Sequence, residues 1–217
     1  LAEEEIIAWK WAKVTVSQPA DSASAAHPLK SLTGDALPSD SIEQVIQRRG
    51  STRRFSRSPI TFEQLSTILE CSTRGISADF LEPYGLLLND IYVVANDVTN
   101  LPAGAYYFDR AQGQLELLKK GNFREEVGYL GLEQDLPADA SADIFFLTDL
   151  NNLLARLGNR GYRAAQLEAG LLGGRMYLAS YAQRLGASGL TFYDDDVINF
   201  FAPHARGKSA MFLLAIG

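Results

Sequence analysis

An α+β domain is what this sequence predicts: a central mixed or antiparallel sheet, flanked by helices, with one long helix at its middle. Three observations carry that expectation. Short apolar runs, Ile91 to Ala95 and Asp143 to Thr148, have the length and composition of buried strands. The turn Asp109-Arg110-Ala111-Gln112-Gly113 joins two further strands as a hairpin. The proline-free stretch Asn159 to Arg184 has apolar or small residues around much of a helical circumference.

The elements follow in order. Residues 1–40 lack sustained periodicity. Ser17 to Pro38, rich in Ser, Ala, Pro and Asp, reads as an arm or inter-domain linker that wraps over something else. Because the chain opens on Leu and an acidic-apolar stretch, it reads as a piece of a longer or processed protein. The compact domain, residues 41–217, begins with Ser41 and Gln44, spaced as a capping box for a helix carrying Ile42, Val45 and Ile46. Gly50 is its expected stop. Thr61 and Gln64 open a second helix, with Phe62, Leu65, Ile68 and Leu69 on the inner face.

Strands are expected at Ile91–Ala95, at Ala105–Phe108 with Gln114–Leu118, and at Asp143–Thr148. A short helix covers Phe123 to Tyr129. The long helix contains Gly170 and Gly174 at four-residue spacing, with Gly173 beside them. Each glycine costs roughly 0.5–1 kcal/mol against alanine inside a helix, so close backbone packing is the expected compensation. A strand at Ala187–Thr191, an acidic-capped helix at Asp194–Phe201 and a strand at Ala210–Ile216 complete the order.

Composition removes several function classes. A net charge of −6 and a pI near 5.0 argue against nucleic acid as the main partner. No apolar run approaches a membrane span, and no secretory signal is visible, so a cytoplasmic location without a membrane partner is expected. Cys71 stands alone, and His27 and His204 have no partner at ligand spacing. Zinc chemistry and a Ser-His-Asp arrangement are therefore excluded as working readings. A chain so poor in Cys and His does its chemistry with a bound organic cofactor, or does none.

Arg48, Arg49, Arg53, Arg54 and Arg57 crowd one short connection of an otherwise acidic chain. Arginine suits bidentate phosphate recognition, and Ser51 and Thr52 add hydroxyl donors. The plain alternative is a solvated helix end, with Arg48 and Arg49 facing the negative pole of the dipole. Spacing alone leaves both open.

The string Arg49-Gly50-Ser51-Thr52-Arg53-Arg54-Phe55, set between an Ile-rich and a Leu-rich helix, resembles the N-terminal signature of the nitroreductase superfamily. Further stretches resemble its SagB-type dehydrogenase branch. These are Pro102 to Asp109, Arg160-Gly161-Tyr162-Arg163, Leu167-Glu168-Ala169-Gly170, Met176 to Ala179, Leu185 to Leu190 and Tyr193-Asp194-Asp195. The resemblance runs from about Ser41 to Gly217. It implies a nitroreductase-like, FMN-binding fold built as a homodimer, or as a tandem pseudo-dimer with a related domain, with flavin at the boundary. It also implies that Arg49, Ser51 and Arg53, with Arg48 beside them, grip the flavin phosphate. Backbone N–H groups around Thr191 or Phe192 would point at the flavin ring. Lys208 is a further candidate for the phosphate, its plain reading being a turn residue.

The resemblance has departures. Asp79 stands in the loop Ile76 to Pro83 where a small flexible residue is usual, and an insertion, Tyr84 to Asp90, follows. Arg156-Leu157 replaces the Lys-Tyr pair of azoline-oxidising members, so azoline oxidation is not expected. The chain also stops at Gly217, before the extension that often completes the site. No catalytic side chain is identifiable. Glu168 and Arg163 read as interface or surface charges and Tyr162 as packing. Asp194 to Asp196 read as a helix cap rather than a metal site. The leading expectation is an FMN-dependent oxidoreductase module exchanging hydride with a small-molecule or peptide substrate, or with NAD(P)H. The alternatives are a non-catalytic module that completes a partner's flavin site or binds a ligand, and a conventional nitroreductase.

Overall fold

The computed structural model describes residues 25–78 and 87–217. Seven strands form one sheet: β1 (Ala26–Pro28), β3 (Asp90–Ala95), β5 (Gly104–Asp109), β6 (Gln114–Lys120), β7 (Ala142–Thr148), β8 (Ala187–Leu190) and β9 (Ser209–Ile216). Their order is β1-β6-β5-β3-β7-β9-β8, and every neighbouring pair is antiparallel. The sheet is thus antiparallel throughout. The one parallel pairing described is a separate two-stranded ladder, β2 (Ile60–Thr61) with β4 (Val98–Thr99).

Alternation along the central strands explains why both faces are covered. Ile91, Val93 and Ala95, with Ile144 and Phe146, point to a core shared with Leu65, Ile68, Leu69, Leu172 and Met176. These come from α2 (Phe62–Ser72) and α6 (Arg160–Ala182). Tyr92, Val94, Phe145 and Leu147 point the other way, toward Val127, Leu130, Val197 and Phe201. Those belong to α3 (Arg124–Leu130) and α7 (Asp194–Phe201). A strand covered on both faces is rich in apolar residues, and β7 is buried along its whole length with only Asp143 and Thr148 polar.

Both capping boxes form. Ser41 and Gln44 close the start of α1 (Ile42–Arg48), and Thr61 and Gln64 that of α2. The stop of α1 differs from expectation: Arg49 is the C-cap in extended conformation, and Gly50 has no positive φ. The hairpin turn is as read, with the Asp109 carboxylate accepting from the Ala111 and Gln112 N–H groups and Gly113 at φ 63°.

Three features exceed the sequence reading. Helix α5 (Leu150–Leu157) starts on an Asp149 cap and ends at Gly158, whose φ of 57° separates it from α6. A short helix, α4 (Asp135–Asp139), precedes β7. Within the expected arm, Ala26–Pro28 adds an edge strand to β6, and Leu32 N–H donates to Thr67 of α2.

The long helix has two unlike faces. Its inner face buries Ala165, Glu168, Ala169, Leu172, Gly173 and Met176. A Cβ at Gly173 would lie 2.6 Å from the Phe212 ring, so this glycine lets helix and sheet approach. Gly170 and Gly174 look outward, with nothing within 4 Å of a Cβ there. Beside them Leu167 is 53% and Leu171 41% exposed. No described helix is long and apolar enough to cross a membrane.

Candidate functional site

The arginine-rich connection leaves α1 and runs onto β8, which is an edge strand of the sheet. Thr52 anchors it: its N–H donates to the Ala187 carbonyl at 2.9 Å, and its hydroxyl lies 3.2 Å from that of Tyr181. The fit is close, because a Cβ at Gly186 would stand 2.3 Å from the Thr52 hydroxyl. Ser51, one residue earlier, has its hydroxyl 3.4 Å from that of Tyr177, and Arg49 stacks with its Cζ 5.0 Å from the centre of the Tyr177 ring. Arg49, Ser51, Arg53 and Arg54 are exposed.

The other arginines of the run are committed. Arg48 bonds the Asp40 carboxylate at 2.7 Å and the Tyr181 carbonyl at 2.8 Å, and Arg184 joins the same carboxylate. Arg48, expected beside the phosphate, thus has a guanidinium that fastens α1 to α6. Arg57 pairs with Asp139.

Thr191 and Phe192 follow the other end of β8. Four residues of strand separate Ala187 from Thr191, roughly 13 Å. The edge of β8 therefore has the Arg49–Arg53 segment at one end and Thr191 at the other. Thr191 is exposed, Phe192 packs against the second core, and the Tyr193 N–H is tied to the Leu130 carbonyl. Among the described residues neither the Thr191 nor the Phe192 N–H has a backbone or side-chain acceptor.

Lys208 does not join this group. It precedes β9, whereas Thr52 and Gly186 sit near the far end of that strand, where Gly186 and Gly217 exchange backbone bonds. Eight residues of strand put roughly 25 Å between them. Lys208 is 8% exposed and donates to Asp90 at 2.6 Å and to the Tyr92 hydroxyl at 2.9 Å. Tyr92 also meets His204 Nδ1 at 2.8 Å. Burial, then the Asp90 charge, raises the Tyr92 and Tyr107 phenols, while burial and Lys208 lower His204. This cluster ties the segment before β9 onto β3 and β5, because its partners all belong to those elements.

Glu168 also departs from its sequence reading. It is fully buried, and its carboxylate accepts from the N–H of Leu88 and from both the N–H and the side-chain amide of Asn89. Burial raises its pKa against those bonds. It fixes the entry to β3 rather than serving as a surface charge. Tyr162, read as packing, is exposed on α6. Asp194 to Asp196 occupy the first turn of α7, as expected, and Asp196 accepts from the Tyr129 hydroxyl. Among the described residues no group of His, Cys, Asp and Glu is placed to hold a metal. Burial pushes the Cys71 thiol up, against a nucleophilic role. Arg156 and Leu157 end α5. Asp79 and most of its loop lie outside the described residues.

Tyr177 and Tyr181, read from the sequence only as parts of the long helix, belong to the site. Their spacing of one helical turn, on the same side of α6 as Gly173 and Met176, was the available signal.

Comparison with known proteins gives one consistent result. The family model described as Nitroreductase family matches residues 46–217. A Methanocaldococcus jannaschii protein that carries a nitroreductase name is 25% identical over 166 residues, covering 72% of this chain and 81% of that protein. A crystal structure named as a nitroreductase from Anabaena variabilis superposes with a TM-score of 0.77 at 28% identity. That match covers 89% of this chain but only 41% of the Anabaena chain. Another, from Ralstonia eutropha, gives 0.68 at 21% identity and covers 92% of both chains, a likeness of fold.

Proposed function

The chain belongs to the nitroreductase family, and from that premise we propose that it is an FMN-dependent oxidoreductase module of SagB-like ancestry. The observation that carries the proposal is the docking of Thr52, the neighbour of Ser51 and Arg53, at one end of an open edge strand, with Thr191 at the other. The donor chemistry fits the cofactor. Exposed guanidiniums and a hydroxyl gather on a chain of net charge −6, where solubility needs no such cluster. Among the described residues neither Arg49 nor Arg53 is neutralised by a carboxylate. Arg49, Ser51 and Arg53 would hold the phosphate. The backbone N–H groups at Thr191 and Phe192 would meet the ring. Bound there, FMN would supply hydride exchange with a small-molecule or peptide substrate, or with NAD(P)H. The side chains near the clamp bind and orient.

The partner we propose is a second copy or a related domain, seated on the outer face of α6. Leu167 and Leu171 lie beside two glycines that leave room for another backbone, and Ile42 and Ile46 are exposed on α1. The span of only 41% of the Anabaena chain is compatible with a related domain in a longer protein. A second reading, a module without redox chemistry of its own, draws on the diversion of Arg48 and Lys208 to internal carboxylates.

The test is optical. The purified chain, reconstituted with FMN, is expected to retain a flavin spectrum after desalting and to bleach with NAD(P)H or a substrate under anaerobic conditions. Retention without bleaching by any donor favours the non-catalytic reading. A protein that FMN cannot reconstitute contradicts the oxidoreductase reading and leaves a module that completes a partner's site or binds another ligand.

A further inference from the structure

We infer that Tyr177 is a positioning residue for the anion clamp, setting the donor direction of Ser51 and the seat of Arg49, an inference that rests on the cofactor reading above. Tyr177 lies on the inner face of α6 and is 9% exposed. Its hydroxyl touches two elements that are otherwise far apart in sequence. The Gly189 N–H of β8 donates to it, and the Ser51 hydroxyl lies beside it.

The direction of these bonds is set once an anion is bound. A backbone N–H only donates, so Tyr177 oxygen is the acceptor of that bond. With an anion beside Ser51, the one Ser51 hydrogen goes to that anion, and the Ser51 oxygen then accepts from the Tyr177 O–H. Ser51 has no other hydrogen bond among the described residues, so its hydrogen is free to donate to a bound anion. The chain of bonds runs one way, from the β8 backbone through Tyr177 to Ser51 and outward. The same ring carries the Arg49 guanidinium at 5.0 Å, holding a cation against an aromatic face without a carboxylate to neutralise it. One side chain therefore sets up a hydroxyl and a guanidinium for the same ligand.

The packing around Tyr177 has a matching feature. A Cβ at Gly189 would stand 2.8 Å from the Phe212 ring and 3.6 Å from the Tyr177 hydroxyl, while one at Gly173 would stand 2.6 Å from the other side of Phe212. Neither glycine has a positive φ. Both are required by space: Phe212 fills the gap between α6 and β8, and the thinness of β8 at Gly189 lets the phenol reach its backbone.

A core aromatic with no role in binding would be replaced by phenylalanine at little consequence for ligand choice. The experiment therefore compares FMN with riboflavin, which lacks the phosphate, on wild type, Tyr177→Phe, Ser51→Ala and the double variant, by equilibrium titration with thermal melts alongside. Tyr177→Phe is expected to weaken FMN by about tenfold, the worth of one hydrogen bond to a charged group. Riboflavin should change by less than about twofold, because the phosphate end alone is disturbed. Ser51→Ala should give the same loss, and the double variant no more than either single change. Equal losses for FMN and riboflavin, or additive losses in the double variant, overturn the positioning role while leaving the cofactor reading intact. Failure of wild type to bind FMN overturns both.

Discussion

A methyl group at position 186 tests how the clamp is held. A Cβ there would lie 2.3 Å from the Thr52 hydroxyl oxygen and 3.0 and 3.1 Å from its Cγ2 and Cβ. Gly186 has no positive φ, so alanine brings no backbone strain of its own. Thr52 must retreat by about 1 Å to restore ordinary contact. That movement opens its N–H bond to Ala187 and its hydroxyl contact with Tyr181. Each is worth about 1 kcal/mol, and residual crowding adds about 1 kcal/mol. The lower chain entropy of alanine in the unfolded state offsets about 0.5 kcal/mol. Gly186→Ala is therefore expected to cost about 2.5 kcal/mol, a fall in Tm of roughly 5–10 °C for a domain of this size. FMN affinity should fall by about tenfold or more, because Ser51 and Arg53 flank the displaced residue and lose charge-assisted contacts. Thr52→Ala removes the two nearest atoms, so the double variant should recover much of the Tm but not the Tyr181 contact. Thermal melts and FMN titration check both effects. A Gly186→Ala protein that melts and binds like wild type would refute the docking described, as would a double variant no more stable than the single.

Other expectations follow from buried charges and the open helix face. Asp143 is fully buried, and desolvation raises its pKa well above 3.8 against the Asn96 bond and the Arg124 charge. The folded state thus holds this proton more tightly than the unfolded one. Its contribution is fully present below the unfolded pKa and is lost as pH rises through the folded value. Asp143→Asn should flatten the decline in Tm across that window, and an unchanged slope would contradict the assignment. Glu168→Gln turns an amide toward N–H donors from Leu88 and Asn89, so urea unfolding should show a loss of about 2–3 kcal/mol; a loss under about 0.5 kcal/mol would mean the loop is held elsewhere. Leu167→Glu with Leu171→Glu should leave monomers in sedimentation, with melting little changed. Wild type that is itself monomeric would contradict a second copy as the partner and leave only a related domain for this face of α6.

Much of the fold was legible because its signals are local. Ser41 with Gln44, and Thr61 with Gln64, state where two helices begin, and the Asp109–Gly113 turn states where two strands reverse. Strand β1 was not legible: three residues with alternating exposure gain their place only from pairing with β6. Helix α5 is signalled by its Asp149 cap and by Gly158, but the sequence reading assigns no element between Thr148 and Asn159. In the site, the sequence marks an arginine cluster but not which member is already engaged. Asp40, eight residues before Arg48, makes that choice through folded geometry. Lys208 shows the same limit, since only the direction of β9 tells which end of the sheet it occupies. Glu168 was open to a better reading. It shares the helical stripe of Ala165, Ala169 and Leu172, and its charge was allowed to outweigh its position.

The central claim is that Arg49 and Arg53, seated by β8, hold the phosphate of a flavin. The most direct measurement is the FMN affinity of wild type and of Arg49→Ala with Arg53→Ala, titrated at constant ionic strength. Two charge-assisted contacts predict a loss of about a hundredfold or more, with the fold of the variant retained. Equal affinities would show that the arginine-rich segment is not the phosphate site.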